Sequence, residues 1–146
     1  MNKLSIIDLV EGESFKSHAR TVTETDLVMY TSMAGLKVPI FTDETFVKKN
    51  THFGGRIFPG LLTATIATGL LEELLSKHLI AALELGEFKF KHPVKPGNTL
   101  SATVTVQKRR ETSDGKRLIV DALVTVLNEL EAEVMSFTER LMLRKS

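Results

Sequence analysis

The longest uncharged run in the chain extends from Ile57 to Leu71 and contains Pro59 and Gly60. It is too short for a membrane-spanning helix, which needs about 20 apolar residues. From Gly60 onward leucine, isoleucine and alanine recur at helical spacing, and charge returns only at Glu72. The first turns of the predicted helix, over residues 60–77, are apolar or small on every side, which is typical of a buried helix. Such a helix needs a layer of other elements wrapped around it.

The second half of the chain is predicted to supply that layer as β-strands. The predicted strands cover residues 83–90, 100–107, 118–127 and 134–143. The second strand alternates apolar and polar residues, so one of its faces meets water, whereas the third is mostly apolar on both faces and is expected at the centre of the sheet. Gly86 predicts a bulge, and Asp114-Gly115 predicts a hairpin turn. The sequence thus predicts an α+β fold in which a curved antiparallel sheet wraps one long central helix.

The first third of the chain predicts a weak strand and two shorter helices. The strand covers residues 14–22. Thr23 and Asp26 form a capping-box pattern at the start of the first helix, which ends at Gly35. Thr42 or Asp43 caps the second helix. These helices are expected on the same face of the sheet as the central helix.

Composition limits the function and the location. The 146 residues have the length of one domain, here residues 1–146. The absence of cysteine excludes disulfides and fits a reducing, cytoplasmic location, and the first residues do not form a signal peptide. Nineteen basic and 18 acidic residues give a net charge of +1, which is too balanced for a nucleic-acid-binding domain. None of the four histidines is spaced for metal binding, so no metal or cofactor is expected, and neither is a membrane partner.

Three blocks of sequence occur in the order seen in one family. They are TVTETDLVMYTSMAG, PIFTDETFVKKNTHFGGRIFPGLLTATIATGL and FKFKHPVKPGNTLSATVTV. They resemble the MaoC-like dehydratases, the (R)-specific enoyl-CoA hydratase family, and the resemblance covers about residues 15–143. It implies a hot-dog fold that pairs edge to edge with a second hot-dog chain, as a homodimer or as a heterodimer with a catalytic chain. It also implies that the ligand is an acyl thioester of coenzyme A or of acyl carrier protein.

The resemblance fails at the catalytic pair. The family places an aspartate directly after the glycine of the first block and a histidine five residues later, and here Leu36 and Phe41 occupy those positions. The family reaction needs a carboxylate and an imidazole to orient water and to move a proton, and neither leucine nor phenylalanine does this. Because such a group contributes about 10²–10⁴-fold per proton transfer, we expect hydratase activity to be feeble or absent.

The family's other catalytic element is a backbone N–H at the start of the buried helix, which faces the thioester carbonyl oxygen. Gly60 holds that position, between Pro59 and Leu61. A free N–H and the positive end of a helix dipole stabilise developing negative charge, so Gly60 is a candidate oxyanion site and its two neighbours are candidate substrate-binding residues. The alternative is that Pro59-Gly60 only starts the helix.

Other residues are candidates for the missing chemistry. His52 stands in a stretch that resembles the active-site stretch of bacterial fatty-acid dehydratases of the same fold, although the position of their acid is Thr65 here. His92, before Pro93, is a second candidate. Basic residues are also concentrated between Lys89 and Arg117. That concentration is either a solvated hairpin end or a mouth for the coenzyme A phosphates.

The candidates for phosphate binding are Lys89, Lys91, Lys95 and Arg109. Three functions stay open. The chain is a non-catalytic acyl-thioester-binding protein or partner subunit; or it is an active hydratase, dehydratase or thioesterase that uses other residues such as His52; or it is a purely structural relative with a filled pocket.

Overall fold

The computed structural model describes residues 4–146. A short 3₁₀ helix, Ile6–Asp8, comes first. The strands are β1 Ser14–Lys16, β2 Arg20–Thr21, β3 Leu79–Phe90, β4 Thr99–Glu111, β5 Arg117–Leu127 and β6 Glu133–Arg144. The helices are α1 Glu24–Ala34, α2 Pro39–Thr42, α3 Glu44–Asn50, α4 Gly60–Leu70 and α5 Glu72–Leu75. The α+β class is confirmed, and no helix among residues 4–146 is long and apolar enough to cross a membrane.

The strands form one antiparallel sheet in the order β1-β4-β5-β6-β3, with β2 paired to the start of β4. β5 lies at the centre, as its apolar residues on both faces predicted. Its inner face contributes Val120, Ala122 and Val124, which are fully buried with Ala67 of α4 and Leu141 of β6 in one hydrophobic cluster. The central helix is thus packed against the concave side of the sheet.

The predicted single helix over residues 60–77 is divided in the structure. α4 ends at Leu70 and α5 begins at Glu72, while the Leu71 amide donates to the carbonyls of Ala67 and Thr68. Thr68 and Gly69 have poor helix propensity, which favours an interruption here. The expectation of one continuous helix was therefore wrong beyond Leu70.

The predicted caps of α1 and α3 are confirmed. The Thr23 amide donates to Asp26 Oδ2 at 2.8 Å, and the Asp26 amide donates to Thr23 Oγ1 at 3.2 Å. Gly35 ends α1 with φ of 67°, a left-handed conformation that glycine adopts at little cost. Asp43, rather than Thr42, caps α3, because its Oδ1 accepts from the Phe46 amide at 2.8 Å.

β3 is one of the two edges of the sheet, opposite β1. Among residues 4–146 it pairs only with β6, and the register shifts after Gly86 as the predicted bulge requires. Its exposed side chains include Leu83 at 49% and Leu85 at 56%. A long edge strand with exposed leucines presents unpaired backbone groups and apolar surface together, which is the usual surface for pairing with another strand.

Candidate functional site

A cavity of about 720 Å³ opens at the start of α4, between that helix, α1–α2 and the ends of β3 and β6. Most of its lining is apolar. The lining residues are Tyr30, Ala34, Leu36, Ile40, Phe41, Phe53, Ile57, Phe58, Pro59, Gly60, Leu61, Thr63, Phe90, Lys91, His92, Pro93, Val94, Val134 and Met135. Its size falls within the range of small-molecule sites, and an apolar lining with few polar groups is typical of them.

Gly60 presents a free amide to this cavity. Pro59 precedes α4 in an extended conformation, and its carbonyl accepts from the amides of Leu62 and Thr63 at 3.0 and 3.3 Å. The amides of Gly60 and Leu61 lie before these first bonds of the helix, where N–H groups have no partner within the helix. The structure therefore places a pair of unbonded donors at the positive end of the α4 dipole.

The structure brings Leu36 and Phe41 to the same cavity as Gly60. The Leu36 amide closes the end of α1 by donating to Thr31 O at 2.9 Å. The Phe41 amide donates to Val38 O at 3.0 Å within the single turn of α2. Both side chains are half-buried. Leu36 and Phe41 thus give the cavity that Gly60 lines two apolar side chains.

Four lining side chains carry a polar group that bears hydrogen: Tyr30, Thr63, Lys91 and His92. No aspartate or glutamate of residues 4–146 lines the cavity. Nor do those residues contain a cluster of three or more histidine or carboxylate side chains placed to hold a metal ion. Tyr30 and Thr63 were not among the sequence candidates. Helical spacing could have identified them. It places Tyr30 on the same side of α1 as Ala34, and Thr63 one turn after Pro59.

His52 lies outside the cavity lining. Its side chain is exposed, and its ring lies 4.5 Å from the ring of Phe53, measured between centroids. Phe53 does line the cavity, and its carbonyl oxygen accepts a hydrogen bond from Lys95 Nζ. This loop therefore turns the aromatic side chain inward and the imidazole outward, so His52 and Gly60 are not brought together.

The basic candidates are divided between two ends of the molecule. Lys91 lines the cavity, and its Nζ pairs with Glu133 Oε1 at 3.0 Å. Lys89 is exposed on β3 and is not part of the lining. Arg109 lies near the far end of β4, where its guanidinium donates to Ile7 O at 2.6 Å and Leu9 O at 2.7 Å. Arg109 thus anchors the N-terminal segment, away from the cavity.

An ion-pair group holds the α1–α3 region against the loop before α4. Arg56 Nε donates to Glu44 Oε2 at 2.8 Å, and the same guanidinium pairs with Glu24. The hydrogen bond from Arg56 holds the pKa of the Glu44 carboxyl below its usual value. Gly55 leaves room for this contact, since a Cβ there would lie 2.7 Å from Glu44 Oε1. One arginine thus links α1, α3 and the segment leading to Gly60.

Comparisons with known proteins agree with this geometry. The sequence model of the MaoC like domain matches residues 8–128. An (R)-specific enoyl-CoA hydratase from Rhodospirillum rubrum is 33% identical over 102 residues, which cover 68% of this chain and 67% of that protein. A β-methylmalyl-CoA dehydratase from Chloroflexus aurantiacus is 30% identical over 126 residues, or 86% of this chain. This chain spans only 36% of the length of that dehydratase.

A solved structure has the same fold over nearly the full length. A monoamine oxidase regulatory protein from Archaeoglobus superposes with a TM-score of 0.85 at 26% identity, covering 98% of this chain and 95% of that one. The antiparallel sheet packed around α4 defines the hot-dog class of fold, which a solved structure from Mycobacterium tuberculosis shares. The chain belongs to the MaoC-like dehydratase family.

Proposed function

We propose that this chain binds an acyl thioester of coenzyme A or acyl carrier protein in the cavity at the start of α4, and that it hydrates enoyl thioesters poorly on its own. The observation that carries the proposal is which side chains line the cavity together with Gly60. Leu36 and Phe41 line the cavity with it, and no carboxylate of residues 4–146 does. The site can hold a carbonyl oxygen but lacks the acid–base pair that the family reaction requires.

Binding without hydration follows from the two kinds of surface in the cavity. The free amides of Gly60 and Leu61 at the positive end of α4 are placed to accept a thioester carbonyl oxygen. The apolar lining removes an acyl chain from water, which contributes about 0.8 kcal/mol for each buried methylene. Lys91 and His92 supply polar contacts for the carrier portion of the ligand. We assign Pro59 and Leu61 to the acyl side of the site.

We further propose that β3 pairs with a second hot-dog chain. Its outer edge is unpaired, and Leu83 and Leu85 are exposed along it. The partner is either a second copy or a related chain that carries the missing acid–base pair. Light scattering on the purified chain tests this: a mass of twice 16.2 kDa supports the homodimer, whereas a monomer that gains hydratase activity only with a catalytic chain supports the heterodimer. A monomer that associates with neither would contradict the pairing.

A second candidate is an active hydratase, dehydratase or thioesterase, and His92 is the observation that favours it. His92 is the one imidazole among residues 4–146 that lines the cavity. If it moves protons, the purified chain hydrates crotonyl-CoA, and His92→Gln loses that activity. If the first proposal is right, hydration by the purified chain stays at background with or without His92.

The amide of Gly60 provides the sharpest test of binding. Gly60→Pro removes the N–H at a position where proline is tolerated in a helix, and Gly60→Ala is the matched control, because both variants place a Cβ against Phe90. We expect Gly60→Pro to bind butanoyl-CoA roughly tenfold more weakly than Gly60→Ala, the effect of about one hydrogen bond. Calorimetric titration measures both affinities. Equal affinities of the two variants would contradict the role of the amide, and no binding by the wild type would contradict the proposed function.

A further inference from the structure

The ring of Phe90 rests on the start of α4. Phe90 is the last residue of β3 and lies opposite Met135 of β6 in the sheet register. A Cβ added to Gly60 would lie 2.2 Å from Cε1 of this ring and 2.7 Å from its Cζ. These distances mean that the edge of the ring is in contact with the Gly60 backbone. Gly60 therefore carries both the contact with the Phe90 ring and the amide at the start of α4.

Phe90 is the outer member of a column of three aromatic rings. Its ring lies 6.4 Å from that of Phe88 at an angle of 12°, and the Phe88 ring lies 5.4 Å from that of Phe137 at 18°. Phe137 is 2% exposed, whereas Phe90 is 58% exposed. Of the three, only Phe90 lines the cavity. Its ring thus separates the cavity from the two rings behind it.

We infer that Phe90 sets the upper size limit of the acyl group that the cavity accepts. This inference rests on the proposed function, because it assumes that a thioester carbonyl sits on the Gly60 amide. Each methylene added to the acyl chain and buried strengthens binding roughly fourfold. The gain in affinity stops at the length at which the acyl chain meets the Phe90 ring. Removing the ring opens the cavity toward Phe88 and lets the gain continue.

The experiment compares straight-chain acyl-CoAs from two to ten carbons on the wild type and three variants. Phe90→Ala removes the ring. Phe53→Ala is the matched control, because Phe53 is a phenylalanine that lines the same cavity from the loop before α4. Phe90 is largely exposed, so its truncation is expected to leave a folded protein. Phe90→Leu is a second variant that shortens the ring to an aliphatic group and keeps most of its apolar contacts.

Calorimetric affinities give the outcome. We expect the wild type to stop gaining affinity at a shorter acyl chain than Phe90→Ala, which binds octanoyl-CoA at least about tenfold more tightly than the wild type. Acetyl-CoA affinity changes less than about threefold, and Phe90→Leu falls between the two proteins. The same length profile in wild type and Phe90→Ala, or an equal shift in Phe53→Ala, would overturn the inference alone. Failure of the wild type and all three variants to bind any acyl-CoA would overturn the proposed function and the inference with it.

Discussion

The cavity has two walls that differ in what they offer a ligand. The α4 wall, residues 59–63, presents the unbonded amides of Gly60 and Leu61 at a helix start. The α1–α2 wall, residues 30–41, presents mainly aliphatic and aromatic side chains, Leu36 and Phe41 among them. The backbone wall keeps its donors because the first amides of a helix have no partner within the helix and Pro59 has no side-chain group that could cap them. A side-chain acid or base, in contrast, is lost by a single substitution. Under the proposed function, binding therefore depends on the α4 wall and proton transfer on the α1–α2 wall.

The largest expected effect comes from giving the α1–α2 wall the chemistry that it lacks. The double substitution Leu36→Asp with Phe41→His places a carboxylate and an imidazole beside Gly60. We expect crotonyl-CoA hydration to rise by at least about 100-fold over the purified wild type, the lower end of the contribution of a general acid–base group. Loss of absorbance of the enoyl thioester measures the rate.

Each single substitution is the control for the pair, because one group alone completes only part of the proton transfer. Both are expected to stay within about tenfold of the wild type. If the double variant is folded and binds acyl-CoA but remains inert, the lack of a carboxylate and an imidazole at positions 36 and 41 does not by itself explain poor hydration.

The next effect concerns a carboxyl group on the sheet rather than in the cavity. Glu139 of β6 is 7% exposed between Leu85 and Ala122 in the register, and its Oε1 has no hydrogen-bond partner. Burial raises the pKa of this carboxyl from 4.5 to about 7. Among residues 4–146 no carboxyl side chain lines the cavity, whereas Glu139 is buried elsewhere on the same sheet.

This raised pKa makes stability depend on pH. Between pH 4.5 and 7 the folded chain keeps a proton on Glu139 that the unfolded chain has released, so the free energy of unfolding falls as pH rises, by about 3 kcal/mol over that range. Urea unfolding at a series of pH values measures it. Glu139→Gln is expected to flatten the curve, and a wild-type curve that matches the variant would contradict the assignment.

The smallest expected effect tests what holds the α1–α2 wall in place. Arg56→Met removes the hydrogen bonds to Glu44 and Glu24 while keeping an aliphatic side chain of similar length. We expect amide hydrogen exchange in residues 36–50 to become several-fold faster, with little change in α4, because exposed ion pairs contribute modestly. Arg56→Lys, which keeps the charge but not the fork of donors, is the control and is expected to be intermediate. Equal exchange rates in all three proteins would contradict the prediction that Arg56 holds the α1–α2 wall in place.

Much of the fold was predictable because local patterns and long-range packing agree. The alternation in β4 and the apolar residues of β5 predicted which strand is central, and the Asp114-Gly115 turn fixes the hairpin between them. The caps at Thr23 and Gly35 were predictable because they depend on residues five or fewer positions apart. The break at Leu71 was missed, because the helical periodicity of the apolar residues continues through it although Thr68 and Gly69 have poor helix propensity.

The site was predictable in part. The motif comparison placed Leu36, Phe41 and Gly60 in one site, and the structure brings these three residues to one cavity. It could not separate Lys91 from Arg109, because both are basic residues near strand ends and only the register puts them at opposite ends of the sheet. Nor could it show that His52 is exposed and lies outside the cavity lining.

The sequence by itself determined the class of fold and, to within about a residue, the bounds of α1, β5 and β6, because these depend on residue type and short spacing. Only the tertiary structure decided which side chains share the cavity, that Phe90 lies on Gly60, and that Glu139 is buried without a partner. These facts join residues that are far apart in the sequence, as Gly60 and Phe90 are. Their distances are set by how α4 and the loops pack on the curved sheet, which no local pattern encodes.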